Sequence, residues 1–282
     1  MDTGNRADLQ LQLRRKSAQI RRDVIDMIYR SGTGHVGGSL SETDILVVLY
    51  YHIMNIRPEN PGFPDRDRFI LSKGHSVEAY YCVLADKGYF PKKELERFSC
   101  FGSEYIGHPN NKVKGVEMNT GALGHGLSLG VGMALAGKMD QKAYRVFVLM
   151  GDGELAEGSV WEAAMAASNY RLDNLVAVID RNGLQISGRT EEVMAVDPLA
   201  EKWSSFGWNV SGIDGNDPAA LCRAFSRENT APGRPTLVIA NTVKGKGVTF
   251  MENNPKWHHG VMNPGQYEQA CRELDQLLEV LA

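Results

Sequence analysis

The chain has 282 residues, 43% of them hydrophobic and 23% charged, with a formal net charge of −3. That balance belongs to an ordinary globular protein and argues against a general binder of nucleic acid or of anionic membranes. No run approaches the roughly 20 apolar residues that cross a bilayer, and the polar stretch from Met1 to Arg15 has no signal-peptide core, so a cytosolic protein is expected.

From the N-terminus, Leu9 to Tyr29 sets Leu, Ile, Val and Met among Arg and Lys at helical spacing, which predicts an amphipathic helix ending at Ser31-Gly32. A glycine-rich loop from Gly32 to Ser39 follows, then a predicted helix from about Glu42 to Ile53 with Ser41 as its N-cap. Phe69 to Ser72 reads as a strand leading into Lys73-Gly74-His75 and a helix through Ala85. Beyond the loop at Gly107-His108-Pro109, a small-residue helix is predicted from Gly121 to about Lys138, its Gly and Ala serving close packing.

Two short apolar runs come next. Val146 to Met150 ends in Gly151-Asp152-Gly153, and Leu175 to Asp180 ends in Arg181-Asn182-Gly183-Leu184. Each reads as a buried parallel strand, and Glu157 to Tyr170 between them reads as the crossover helix. A helix near Pro198 to Phe206, a strand from Trp208 to Ile213, a helix from Pro218, a strand from Thr236 to Thr242 and a helix from about Gly265 to Leu281 complete the chain. Strands alternate with helices, so the expected class is α/β: a mostly parallel sheet with helices on both faces. No linker, repeat or low-complexity tract divides residues 1–282, and one domain is expected.

A βαβ unit puts the carboxyl ends of both strands on one edge of the sheet, where Asp152 and Asn182 would face each other. A hard dication takes oxygen ligands in octahedral geometry and commonly keeps phosphate oxygens among them. One carboxylate, one amide and one backbone carbonyl would leave room for a diphosphate. Gly153 would let a phosphate approach the backbone near a helix N-terminus. Either turn taken alone is common loop chemistry; their placement after two consecutive strands is the signal.

Six of the seven histidines lie in or beside glycine-containing loops: His35, His75, His108, His125 and the pair His258-His259. Such loops carry ligands in parallel folds, and imidazole donates or accepts protons near neutrality. His52 reads as structural. The four cysteines, Cys82, Cys100, Cys222 and Cys271, form no Cys-x-x-Cys pair and receive no role.

With these motifs in place the chain resembles the thiamine-diphosphate enzymes of the transketolase group, most closely the separate N-terminal subunit of split transketolases. The resemblance is carried by Ser31-Gly32-Thr33-Gly34-His35, Leu71-Ser72-Lys73-Gly74-His75, Gly107-His108-Pro109, Thr120-Gly121-Ala122-Leu123-Gly124, the stretch from Gly151 to Gly158, Asp180 to Leu184, Lys244-Gly245-Lys246-Gly247 and Trp257-His258-His259-Gly260. It implies a thiamine-diphosphate-binding fold of the diphosphate-binding type. Asp152, Asn182 and the Leu184 carbonyl would hold Mg2+, or Ca2+ or Mn2+, with Gly153, Asn182, His75, Lys244 and His259 near the cofactor. Gly121 and Leu123 would contact the aminopyrimidine; His35, His108 and His259 would meet the sugar oxygens; Glu157 and Glu162 resemble carboxylates that communicate across a subunit interface. Ala122 and His125 depart from the commoner Pro and Gln of the group, which leaves the exact substrate open.

The resemblance further implies ketol transfer from a ketose phosphate to an aldose. A separate C-terminal subunit, carrying the pyrimidine-binding domain and its essential glutamate, would complete an α2β2 assembly. A specialised form for a branched pentulose phosphate fits the same residues. The α subunit of a 2-oxo acid dehydrogenase E1 component shares the Gly-Asp-Gly and Asn elements, but the loops bearing His35, His75 and His108 suit a polyol donor better. A noncatalytic phosphate-ligand-binding subunit is the remaining alternative, and no Walker-type run points to a nucleotide hydrolase.

Overall fold

A computed structural model describes residues 3–282. Five strands, β1 (Arg68–Leu71), β2 (Val146–Gly151), β3 (Leu175–Arg181), β4 (Asn209–Asp214) and β5 (Thr236–Asn241), form one sheet in the order β1-β2-β3-β5-β4. Every pairing is parallel. All carboxyl ends therefore lie on one edge.

The longer helices are α1 (Thr3–Ser31), α2 (Val36–Val48), α3 (Val77–Asp86), α4 (His125–Met139) and α5 (Gly158–Asn169), followed by α6 (Thr190–Val193), α7 (Leu199–Ser205), α8 (Pro218–Ala224) and α9 (Pro264–Val280). Strand side chains alternate between two cores, as a pleat with period 2 requires. Phe147, Leu149, Val176, Val178 and Val238 join α1, α2, α3, α8 and α9 on one face. Val146, Val148, Met150, Ala177 and Ile179 join α4, α5 and α7 on the other. Both faces being covered explains why these strands read as unbroken apolar runs. No helix among the described residues is long and apolar enough to cross a membrane.

Several expected boundaries move. The helix expected from Glu42 begins at Val36, and Ser41 is not its cap; the Ser41 hydroxyl lies inside the helix, 2.6 Å from Asp180 Oδ2. Glycines that read as loop are packing glycines, since all of α2 is buried and a Cβ on Gly37 would stand 2.6 Å from the Trp257 carbonyl oxygen. Past Val48 the chain passes into a π-helical turn, Leu49–Ile53. The helix expected from Gly121 starts at His125, because Gly124 takes φ +83 and breaks the approach. Glu157 is the N-cap of α5, in extended backbone, rather than its first helical residue.

Candidate active site

The register Gly151↔Asp180 brings the tips of β2 and β3 side by side. Asp152, 2% exposed, follows β2. Its Oδ1 accepts the Gly153 N–H at 2.8 Å; its Oδ2 accepts the Gly183 N–H at 2.6 Å and lies 3.3 Å from both Thr190 Oγ1 and Arg181 Nη1. Burial, with Asp180 nearby, raises the Asp152 pKa from its ordinary value. Asn182 donates from Nδ2 to Asp180 Oδ2 at 3.3 Å, and its Oδ1 accepts the Leu184 N–H at 3.1 Å. The expected trio of Asp152, Asn182 and Leu184 is thus gathered at one point on the sheet edge.

Lys244 stands beside Leu184 and lines the same cavity as this trio. The residue is 3% exposed, and its ammonium donates to the Leu184 carbonyl at 3.1 Å and lies 3.0 Å from His258 Nδ1. Burial and the neighbouring Lys73 lower it to about 8, and no carboxylate among the described residues forms an ion pair with it. A buried cation without an anion is costly in isolation and suits an anionic guest. Between these groups lies a cavity of about 250 Å³ lined by His35, His75, Gly121, Leu123, Gln185 and Ile186 besides the residues above.

A charged network, to whose members the sequence assigned no role, supports the floor. Lys73, 2% exposed, bridges Asp180 and Glu42, the latter at 2.9 Å, and donates to the Gly38 carbonyl at 3.1 Å. Burial opposes ionisation of Asp180, but Lys73, Ser41 and Thr242 outweigh it and hold its pKa down. Burial pushes Glu42 up to about 8 despite Lys73. Glu154 accepts from the Gly124 N–H at 2.8 Å, the Gly151 N–H at 3.1 Å and the Ser72 hydroxyl. One carboxylate thereby ties β1, β2 and the loop before α4. The sequence signal for such groups is a charge embedded in an apolar or small-residue run.

The histidine loops converge at the cavity mouth. The His35 ring centre lies 5.1 Å from His75, 4.6 Å from His259, 5.6 Å from His258 and 6.5 Å from His108. Burial first, then neighbouring positive groups, lowers His35 to about 4, His75 to about 2 and His258 to about 3. Burial also lowers His108. These imidazoles are neutral at pH 7, each with one ring nitrogen that donates a hydrogen bond and one that accepts. His258, to which the motifs assign no role, is the member of its pair inside the cavity; His259 is exposed, with Nε2 3.4 Å from Thr33 Oγ1.

Other expected residues divide. Gly121 has φ +145, and a Cβ there would stand 2.6 Å from the His108 ring, so glycine is needed where this loop meets that histidine. Gly153 abuts the Gln185 side chain, which would lie 2.7 Å from an added Cβ. Glu157 and Glu162 are exposed and outside the cavity lining. His125 is also exposed, its Nδ1 3.1 Å from the Leu123 carbonyl oxygen. Among the described residues no three His, Cys, Asp or Glu side chains gather as a metal cage. Only a mixed set of carboxylate, amide and carbonyl oxygens is available, which leaves several positions of an octahedral dication to other ligands.

Residues 13–273 match the family described as the thiamine diphosphate binding domain of transketolase. The chain belongs to the transketolase family. It is 48% identical to the A-type subunit of apulose-4-phosphate transketolase from Phocaeicola vulgatus, covering 94% of this chain and 95% of that protein. It is 41% identical to the 6-deoxy-6-sulfo-D-fructose transketolase subunit SqwG of Clostridium sp., covering 96% and 98%. The solved transketolase of Campylobacter jejuni superposes with a TM-score of 0.87 at 30% identity, over 94% of this chain but 43% of that one. This transketolase chain thus matches separately encoded subunits almost end to end and spans under half of the solved transketolase. It is an N-terminal, A-type transketolase subunit, a transferase, and its domain is a thiamine diphosphate binding domain.

Proposed function

We propose that residues 1–282 act as one diphosphate-binding domain, anchoring thiamine diphosphate through a divalent cation for two-carbon ketol transfer from a ketose phosphate to an aldose. The observation that carries this reading is the buried Lys244 ammonium, unpaired by any carboxylate among the described residues, in the same cavity lining as Asp152 and Asn182. An anion with its own dication would satisfy the ammonium and the oxygen ligands at once.

In this reading the Asp152 carboxylate, the Asn182 amide oxygen and the Leu184 carbonyl hold Mg2+ or a similar ion. Gly153, His75 and Lys244 meet the diphosphate, and Gly121 and Leu123 meet the aminopyrimidine. When bound, the cofactor supplies the carbon nucleophile for the chemistry. His35, His108, His258 and His259 orient the sugar hydroxyls and its carbonyl and relay protons between those oxygens. Gly121 keeps the loop close enough for His108 to reach inward. Glu157, exposed at the start of α5, serves as an interface carboxylate.

The pyrimidine side belongs, in our proposal, to a separate C-terminal subunit in an α2β2 assembly working in the cytoplasm. Two features support a covering partner: relatives covered almost end to end are named as transketolase subunits, and Ile186, 75% exposed, lines the cavity. A branched or otherwise unusual pentulose phosphate is the favoured donor class, because relatives at 48% and 44% identity are named for apulose-4-phosphate. The test is co-expression with the adjacent open reading frame and assay against several ketose phosphates. Transfer by the complex is expected; transfer by the purified chain alone, with cofactor and Mg2+, would remove the need for a partner.

A further inference from the structure

The first turn of α3 carries a carboxylate to which the site chemistry assigns no task. Glu78 is fully buried, 0% exposed. Its Oε1 accepts the backbone N–H of His35 at 2.8 Å, and its Oε2 accepts the Ser39 hydroxyl at 2.8 Å. The buried ammonium of Lys73 is engaged by Glu42 and Asp180 instead. In place of a cation, Glu78 sits between two helix N-termini: α2 begins one residue after His35, and α3 begins one residue before Glu78. Partial positive charge at helix starts favours an anion there.

Gly34 makes room for this arrangement. Its φ is +155, and a Cβ would stand 2.8 Å from Glu78 Oε1 and 2.7 Å from Ile28 Cγ1. Glycine before His35 and glutamate on α3 therefore form one fitted unit.

We propose that Glu78 is a positioning residue: by accepting the His35 amide it clamps the loop onto the start of α2 and so sets the His35 imidazole at the centre of the histidine cluster. The consequence for catalysis rests on the reading of His35 as a substrate-facing group; the clamp itself does not.

Burial lifts Glu78 to about 7, against the His35 amide, the Ser39 hydroxyl and Lys73, which favour the anion. From α3, Tyr81 and Cys82 face it, both raised by burial and so neutral around pH 7; α1 contributes Ile28 and α2 contributes Ser39, neither charged. His35, lowered to about 4, also stays neutral. Protonation of Glu78 removes its charge and turns one oxygen into a donor; the Ser39 hydroxyl can accept from that oxygen, and the remaining carbonyl oxygen holds the His35 amide more weakly.

The test is heteronuclear NMR on the 15N-histidine-labelled chain from about pH 5 to about pH 9, with the His35 amide assigned by its loss in His35→Asn. The amide proton should lie downfield at high pH, move upfield as Glu78 takes its proton, and show no such excursion in Glu78→Gln. Ser39→Ala should keep the excursion. No excursion in the wild type, or an unchanged one in Glu78→Gln, overturns the clamp. In the assembled enzyme Glu78→Gln should raise the donor KM about tenfold and leave cofactor affinity unaltered. The expected amide behaviour with an unaltered donor KM would support the clamp and overturn the substrate role of His35.

Discussion

Asp152 Oδ2 accepts the Gly183 N–H at 2.6 Å, so the turn after β2 is bonded directly to the turn after β3. The aspartate is therefore both an ion-pair acceptor and a brace. Asp152→Asn keeps most of the brace and removes the charge. We predict a fall of about a hundredfold or more in metal-dependent thiamine diphosphate affinity, with little change in melting temperature. Titration calorimetry with and without Mg2+ measures it; unaltered affinity would exclude Asp152 as a ligand.

Lys244→Met should separate stability from binding. Burial lowers the lysine to about 8, so the folded chain carries a cation it holds poorly. Replacing it with an apolar side chain of similar length should stabilise the ligand-free protein by about 1 to 2 kcal/mol. Cofactor affinity should fall at the same time. Denaturant unfolding and cofactor titration together check this, and a destabilised variant would show that the ammonium is already compensated.

His35→Asn tests the buried imidazole through pH. The folded value, about 4, lies below the ordinary value of 6.5. Between the two the unfolded chain binds a proton that the folded chain refuses, so stability present above about 6.5 is lost as pH falls. Full linkage would amount to about 2 kcal/mol between about pH 7 and about pH 5, and partial exposure of the ring halves it, so the wild type should lose about 1 kcal/mol more than the variant. Urea unfolding at both pH values reads the difference; parallel losses would contradict it.

Gly121→Ala drives a methyl group to 2.6 Å from the His108 ring at a φ of +145. The strain should cost about 2 kcal/mol and push His108 outward. In the assembled enzyme donor KM should rise, and cofactor affinity should fall to a smaller degree because Asp152 still anchors the diphosphate. Unchanged donor kinetics would show that His108 does not touch the sugar.

Much of the fold and of the site is legible along the chain. Runs such as Val146 to Met150 are apolar throughout because each strand is covered on both faces, and glycine with Asp or Asn marks where they end. Parallel pairing then follows, and with it the meeting of Asp152 and Asn182. The start of α2 is not legible in the same way, because Gly37 and Gly38 carry the local chemistry of a loop. Their helical state depends on contacts with Trp257 and Ser76, far away in sequence.

Sequence by itself determined the α/β class, the motif-bearing turns and the loops that hold histidines, since strand period, turn chemistry and glycine placement are local properties of the chain. Tertiary structure alone decided which histidine of the pair His258-His259 enters the cavity, that Lys73 is shared by Glu42 and Asp180, and that Glu78 grips the His35 amide. These choices arise from burial: a charge removed from water takes whichever partner the packed helices bring within reach, and that partner lies tens of residues or more away along the chain.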